Sequence, residues 1–131
     1  METLFRGKHD DEWFYGDLLR YADTAQIWYE AEGYGKVNVL VNPSTVGQYT
    51  GKELDGEKLF IGDIVESSED YDDMFGYPTT GYARSVVVWD KDNFCYAFDT
   101  DGYIQLFSDW NWENCGKIGN IHDNPELLSG K

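Results

Sequence analysis

Apolar and polar residues alternate at every second position in several short stretches of the chain. The clearest stretch runs from Val37 to Val41, where valine recurs at every other residue. This period of two predicts a β-strand with one buried face. Pro43 follows and is expected to end that strand or to mark an exposed sheet edge, because proline has no backbone N–H to donate.

Further predicted strands are separated by residues that favour turns. Leu4–Lys8 and Trp13–Tyr21 flank an acidic turn and are predicted to form a hairpin, and Gln26–Glu30 is predicted to be a strand. Val46–Thr50 is followed by the Asp55-Gly56 dipeptide, which favours a tight turn. The first half of the chain is therefore predicted to be built from short strands.

The second half shows the same pattern. Tyr82–Trp89, Asn93–Thr100 and Tyr103–Phe107 are predicted to form a three-stranded meander, and Lys117–His122 is predicted to be the last strand. Pro125 is suited to the first position of a helix, so a short C-terminal helix is expected after that strand.

The segment 66–82 differs from the rest because it is rich in acidic residues and shows no sustained periodicity. It is predicted to be a surface loop that joins two lobes, residues 1–65 and 83–131. The predicted fold is a single, mainly β domain with two small all-β subdomains. Partly open barrel or SH3-like strands are expected in them, with the short helix at the end.

The chain is strongly acidic, with 25 Asp and Glu against 10 Lys and Arg and a formal net charge of −15. Such a surface repels phosphate groups, so direct binding to nucleic acid or to an anionic membrane is not expected. No apolar run approaches the ~20 residues needed to cross a bilayer. The first residues lack the features of a signal peptide, and a cytoplasmic location is expected.

Residues that support common catalytic or metal chemistry are few. His9 and His122 are the only histidines, and the spacing of Cys95 and Cys115 matches no zinc module. The acidic run 69–73 lacks the spacing of a calcium-binding loop. No nucleophile motif is present either. We therefore expect no metal, no cofactor and no enzymatic activity.

Aromatic residues are abundant, with 5 Trp, 10 Tyr and 7 Phe. Five of them lie in polar segments, and they are Tyr71, Phe75, Tyr77, Trp110 and Trp112. One interpretation is that they pack in the core and the loops. The other is that they form an exposed patch with an acidic rim, which would suit protein recognition because Tyr and Trp anchor interfaces.

A set of ordered motifs spans the chain from one end to the other. They are Phe5-Arg6-Gly7-Lys8, Tyr15-Gly16-Asp17-Leu18-Leu19, Thr45–Gly51, Gly62-Asp63-Ile64-Val65, Ile118–Ile121 and Asp123–Leu128. In these motifs the chain resembles the YopX-like proteins of bacteriophages and prophages. The resemblance implies an all-β, phage-derived protein of two small subdomains that works in the cytoplasm of a bacterial host. It transfers no catalytic residue.

The polar residues within the matching motifs are candidate site residues. They are Arg6, Asp17, Gln48, Tyr49 and Asp63. They are expected either to join the two lobes by hydrogen bonds and ion pairs or to line a binding site. A pocket at the junction of the lobes is the form that such a site would take.

Three functions follow from these observations. The first is a phage or prophage accessory protein that binds another protein or assembles with itself. The second is an acidic mimic of nucleic acid that blocks a host DNA-binding protein. The third is a small-molecule-binding protein or enzyme whose pocket between the lobes is lined by Gln48, Tyr49 and Asp63.

Overall fold

The computed structural model describes residues 3–129 and divides the chain into two compact units, Met1–Lys52 and Glu53–Lys131. Ten β-strands and two short 3-10 turns make up the regular structure of the described residues. The strand pairings are antiparallel throughout the described registers. The prediction of a mainly β protein is confirmed.

The first unit consists of four strands whose pairings form a ring. The strands are β1 (Phe5–His9), β2 (Glu12–Tyr21), β3 (Thr24–Ala31) and β4 (Gly35–Leu54), and β4 extends past the end of the unit. Each strand pairs with the next, and β4 also pairs with β1. Ala25, Ile27 and Val41 form the core inside this ring. The predicted hairpin of the first two strands is confirmed.

The prediction that Pro43 ends a strand is wrong, because β4 continues through it. Lys8 pairs with Asn42 and Arg6 pairs with Gly47, so the register shifts and leaves Pro43 in an irregular part of the strand. The Thr45 hydroxyl fills this gap: it accepts a hydrogen bond from the backbone N–H of Lys8 at 2.8 Å. A bulge of this kind tolerates proline because no ladder bond is needed from its nitrogen.

Gly16 lies on β2 where that strand passes close to the backbone of β3. A Cβ atom at this position would overlap the carbonyl oxygen of Trp28. Gly16→Ala is therefore expected to destabilise the first unit, at or above the upper end of the ~1–3 kcal/mol typical of overpacking. Urea denaturation measures this effect, and Gly116→Ala is the control because its Cβ would have an ordinary 3.8 Å contact. Equal stability of the two variants would contradict this packing.

The second unit is built on a five-stranded sheet in the order β10-β6-β7-β8-β9. The five strands of this sheet are β6 (Asp63–Asp72), β7 (Pro78–Asp90), β8 (Cys95–Thr100), β9 (Tyr103–Leu106) and β10 (Cys115–Asn120), and the unit also contains β5 (Glu57–Phe60), which is not part of this sheet. The predicted meander is confirmed as β7, β8 and β9. The short β5 is hydrogen-bonded to β4 and follows it through the predicted Asp55-Gly56 turn.

The segment 66–82, predicted to be a loop between lobes, is instead part of a long hairpin. β6 and β7 pair without interruption from Ile64 opposite Val86 to Asp72 opposite Pro78. The division between the two units falls earlier, after Lys52. Polar side chains help to hold the hairpin, since the Thr80 hydroxyl donates to the Asp70 carboxylate at 2.8 Å.

The expected C-terminal helix is reduced to a single 3-10 turn, Pro125–Leu128. The Asn120 side chain determines the preceding turn: its Oδ1 accepts hydrogen bonds from the backbone N–H groups of His122 and Asp123 at 3.0 and 2.9 Å. This turn leaves only four residues in helical conformation before Ser129. Within residues 3–129 no helix is both long and apolar enough to cross a membrane.

The core of the second unit is centred on Phe98 of β8, which is fully buried. It packs with buried aliphatic side chains from four other strands, namely Leu54 of β4, Leu59 of β5, Val65 of β6 and Val87 of β7. Aromatic rings cover its other side: the Phe107 ring centroid lies 4.9 Å from that of Phe98. This unit therefore has a core of its own.

Candidate functional site

The most distinctive surface of the second unit is the far part of the β6–β7 hairpin, Ser68–Tyr82, which we call the β6–β7 arm. β10 pairs with β6 only as far as Ser67, and β8 pairs with β7 only from Val86 onward. Within the described part of the chain, the arm is therefore a two-stranded ribbon without a third strand on either side. It corresponds to most of the predicted acidic loop.

The tip of the arm is an ordered turn organised by Asp73. The Oδ1 atom of Asp73 accepts hydrogen bonds from the backbone N–H groups of Phe75 and Tyr77, both at 2.9 Å. The Asp73 backbone N–H donates to the Tyr77 carbonyl, also at 2.9 Å. Gly76 has a φ of 83°, a conformation that glycine adopts at little cost. These bonds fix the backbone that carries the neighbouring aromatic side chains.

Large apolar side chains of the arm are exposed to solvent. The exposed fractions are 88% for Met74, 77% for Phe75, 68% for Tyr77 and 51% for Tyr71. Tyr82, at the base of the arm, is 69% exposed. Rings held by an ordered backbone lose little conformational freedom when they are covered, so such a surface is suited to contact with a protein.

Carboxylates lie among these apolar side chains. Glu69, Asp70 and Asp72 are exposed on β6, on either side of Tyr71. The Tyr71 ring lies over Gly81 of β7, where a Cβ atom would be only 3.1 Å from it. The predicted combination of Tyr71, Phe75 and Tyr77 with acidic neighbours is therefore present on one structural element.

Trp110 and Trp112, which were proposed as members of the same patch, lie elsewhere. Both pack on the core around Phe98, with ring centroids 4.0 and 5.6 Å from that of Phe98. The Trp112 indole N–H donates to the Phe107 carbonyl at 3.3 Å. Burial raises the pKa of the Tyr96 hydroxyl above its usual value at the edge of this cluster. The two tryptophans therefore stabilise the fold and do not belong to the exposed surface of the arm.

Four of the five polar candidate residues lie in the first unit, and three of them contact or adjoin β1. Arg6 is only 2% exposed, and its guanidinium carbon lies 4.6 Å from the centre of the Trp13 ring. Gln48 is opposite Phe5 in the β1–β4 ladder. Tyr49 is buried, and its backbone N–H donates to the Leu4 carbonyl at 2.8 Å. In this unit all three residues belong to the packing between β1 and its neighbours.

Asp17 is also in the first unit but is exposed on β2. Its carboxylate lies 3.3 Å from the Lys36 ammonium group, and both side chains are more than half exposed. A shallow depression of about 520 Å³ adjoins this pair, with Trp13 and Tyr29 among its lining residues. An ion pair this accessible to water stabilises the fold only weakly.

Asp63 lies in the second unit and is completely buried. Its Oδ2 atom accepts a hydrogen bond from the Phe60 backbone N–H at 2.7 Å and lies 3.3 Å from the Lys117 ammonium group. This geometry connects the end of β5, the start of β6 and β10. Since Gln48 and Tyr49 belong to the first unit, the pocket that the three residues were expected to share stays a prediction, as does their role in joining the lobes.

A groove of about 800 Å³ lies on the sheet of the second unit, near the base of the arm. Its lining residues come from three strands and from the C-terminal turn, and they include Glu66, Tyr82, Arg84, Asp99, Asp101, Leu127 and Leu128. Arg84 donates to the Glu66 carboxylate at 3.1 Å and to the Leu127 carbonyl at 2.8 Å. No sequence motif predicted this groove, because its residues are far apart along the chain.

Potential metal ligands are not clustered in the described part of the chain. Among residues 3–129, no three or more His, Cys, Asp or Glu side chains are arranged to hold an ion. Carboxylates of the arm are instead spread along a strand, and Asp70 and Asp73 are engaged in cross-strand and turn hydrogen bonds.

Comparison with known proteins identifies the family. No curated protein matches the chain, and no solved structure matches it. The family model described as YopX protein matches residues 4–129, which is nearly the whole chain. The match contains the complete β6–β7 arm and nearly all of both units. The chain belongs to the YopX protein family.

Proposed function

We propose that this protein is a non-enzymatic phage or prophage accessory protein that binds another protein through the β6–β7 arm. The observation that carries this proposal is the set of exposed apolar side chains on a turn that Asp73 holds in place. Such side chains have no evident role in the stability of the unit that presents them. Their exposure is explained if a partner covers them.

The geometry of the tip favours a role in protein recognition over that of a solvent-exposed loop without a binding role. Met74 and Phe75 are among the most exposed large apolar residues of the described chain. The hydrogen bonds of Asp73 restrict the backbone before binding, which lowers the entropy lost on association. Aromatic side chains with these properties anchor protein interfaces when they enter an apolar cleft.

Charge indicates the type of partner. The arm carries carboxylates beside its aromatic side chains, and the whole chain has a formal charge of −15. A second copy of the chain would bring the same negative charge to the contact, which disfavours self-association. We therefore infer a partner with an apolar cleft that is bordered by Lys or Arg.

A mimic of nucleic acid would need a continuous row of carboxylates in place of phosphates. On the arm, Asp70 and Asp72 share one face of β6, whereas Glu69 lies on the other face with Tyr71, so the carboxylates do not form one row, and the tip itself is apolar. This arrangement supports contact with a mixed apolar and basic surface better than contact with a phosphate-binding one.

The proposal is tested by affinity capture from a bacterial lysate followed by mass spectrometry. The double variant Phe75→Ser/Tyr77→Ser removes the apolar anchors but leaves Asp73 in place. We expect this variant not to capture the protein that the unmodified chain captures. Removal of a well-buried anchor commonly lowers affinity by more than about tenfold, and two anchors are removed here.

The matched control is Tyr34→Ser, which removes an aromatic ring that is 83% exposed on a different turn, in the first unit. It is expected to capture the same partner as the unmodified chain. Identical captured proteins from all three baits would contradict a role for the arm, and so would the absence of any specific protein.

A further inference from the structure

One edge of β7 lies open beside the groove of the second unit. β7 pairs with β6 on one side over Pro78–Val86, but on its other side it pairs with β8 only from Val86 to Asp90. Among residues 3–129, no strand borders Pro78–Arg84 on that second side. We call this stretch the open edge, and a strand added beside it would continue the line of β8 beyond its end at Thr100.

The direction of the backbone groups along the open edge follows from a neighbouring hydrogen bond. The Val87 carbonyl accepts from the backbone N–H of Gly62, which immediately precedes β6, at 2.9 Å. Backbone groups of successive residues point to opposite sides of a strand in a regular antiparallel ladder. The N–H and C=O groups of Thr80, Tyr82 and Arg84 therefore point toward the open side.

Pro78 agrees with this assignment. It has the same parity as Thr80 and Tyr82, so its nitrogen also faces the open side, where no neighbouring strand among the described residues needs a donor. Proline occurs within sheets at such positions.

The two exposed edges of the arm differ in charge. On β6, carboxylates occupy three of the four positions from Glu69 to Asp72. On β7, the stretch Thr79–Ala83 carries no charge. Charged residues are the usual means by which an edge strand is protected against pairing with another chain. The edge of β6 is therefore protected in this way, whereas the edge of β7 is available for pairing.

The adjoining groove favours a particular type of side chain in a segment that pairs with the open edge. Two carboxylates, from Glu66 and Asp99, line it together with one guanidinium group, from Arg84, which donates to the Glu66 carboxylate. Because negative charge is in excess, the groove is complementary to a basic side chain. Leu127 and Leu128 add an apolar wall that suits the aliphatic part of Lys or Arg.

We propose that an extended segment of the partner protein pairs with the open edge of β7 as an added strand and places a Lys or Arg side chain in the groove. The segment forms main-chain hydrogen bonds with Thr80, Tyr82 and Arg84, and the groove selects its side chain. This proposal rests on the proposed function, since it specifies how the partner is recognised.

The test begins with selection of peptides from a random library of about 12 residues, a length that exceeds the open edge. The unmodified protein is the bait, and the most enriched peptide is then measured by fluorescence anisotropy. Tyr82→Pro removes a backbone N–H that faces the open side. Tyr82→Ala is the reference, because it also loses the ring that lines the groove but keeps that N–H, and Tyr82→Pro is expected to bind about tenfold or more weakly than Tyr82→Ala.

Amide hydrogen exchange of the unmodified protein provides a second measurement that needs no variant. On peptide binding, the amides of Thr80, Tyr82 and Arg84 are expected to exchange more slowly. Those of Gly81 and Ala83 are expected to change little, because they already face β6. Equal slowing of all five amides, or of none, would overturn strand addition.

Other outcomes also decide the question. Failure to enrich any peptide, enriched peptides without basic residues, or equal affinity of Tyr82→Pro and Tyr82→Ala would each overturn the proposal. So would a dimer in sedimentation experiments that Tyr82→Pro dissociates, because the occupant would then be a second copy. If Tyr82→Pro still captures the partner that Phe75→Ser/Tyr77→Ser loses, strand addition fails but the proposed function stands.

Discussion

Phe98→Ala is expected to destabilise the second unit by about 4 kcal/mol, because removal of a buried aromatic ring loses its contacts and leaves a cavity. The Phe98 side chain is fully buried, and the rings of Phe107, Trp110 and Trp112 all pack against it. The cavity would lie between large rigid rings, which cannot collapse to fill it. A loss of this size is a large part of the ~5–15 kcal/mol by which domains are usually stable.

Urea denaturation followed by tryptophan fluorescence measures this effect, since Trp110 and Trp112 report directly on the affected core. Phe75→Ala is the matched control: it is the same substitution at a ring that is 77% exposed on the arm. Its free energy of unfolding is expected to change by less than about 0.5 kcal/mol. Similar losses in the two variants would show that Phe98 is not the centre of this core.

Asp63→Asn is expected to lower the free energy of unfolding by about 3 kcal/mol, because it leaves the Lys117 ammonium group without the carboxylate that balances it. Lys117 is 20% exposed and Asp63 is fully buried, so water compensates the lost charge poorly. The amide oxygen of the substituted side chain could still accept the hydrogen bond from the Phe60 backbone N–H. The loss therefore reports on the negative charge of the buried Asp63 carboxylate, which Lys117 helps to balance.

The control for this prediction is Asp17→Asn, which breaks an ion pair with the same 3.3 Å separation on the surface of the first unit. Its cost is expected to be about 0–1 kcal/mol. Both variants are measured by urea denaturation under identical salt conditions. If Asp63→Asn costs no more than Asp17→Asn, the buried pair contributes little to stability.

Some elements could be predicted from the sequence because one of their faces is buried. Val37, Val39 and Val41 alternate with residues that face solvent, so the period of two was visible, and the strand is present in β4. The meander from β7 to β9 was predictable for a similar reason, since turn residues separate its strands. Local patterns of this kind reflect the contrast between core and solvent.

The arm could not be predicted as a hairpin because it has no buried face. Both sides of a two-stranded ribbon meet solvent, so polar and aromatic residues occupy either side and the alternation disappears. Its pairing depends instead on cross-strand contacts such as that of Thr80 with Asp70. Such contacts become visible only when the register is known.

The candidate site was predictable in part. Phe75 and Tyr77 were identified from aromatic residues in an acidic segment, and both are exposed on the arm. Trp110 and Trp112 have equally polar neighbours in the sequence, yet they pack on Phe98 of a different strand. The difference between the two pairs arises from tertiary packing, which the neighbouring residues along the chain do not encode.

The ring of pairings in the first unit has a consequence for the colloidal behaviour of the protein. Each of its four strands is hydrogen-bonded to a neighbour on both sides. In the second unit, by contrast, β9 and β10 are the two edge strands of the sheet. Growth of ordered aggregates proceeds by docking of strands onto unsatisfied sheet margins. Under mild stress, fibril formation should therefore start in the second unit, while the first resists recruitment until it unfolds.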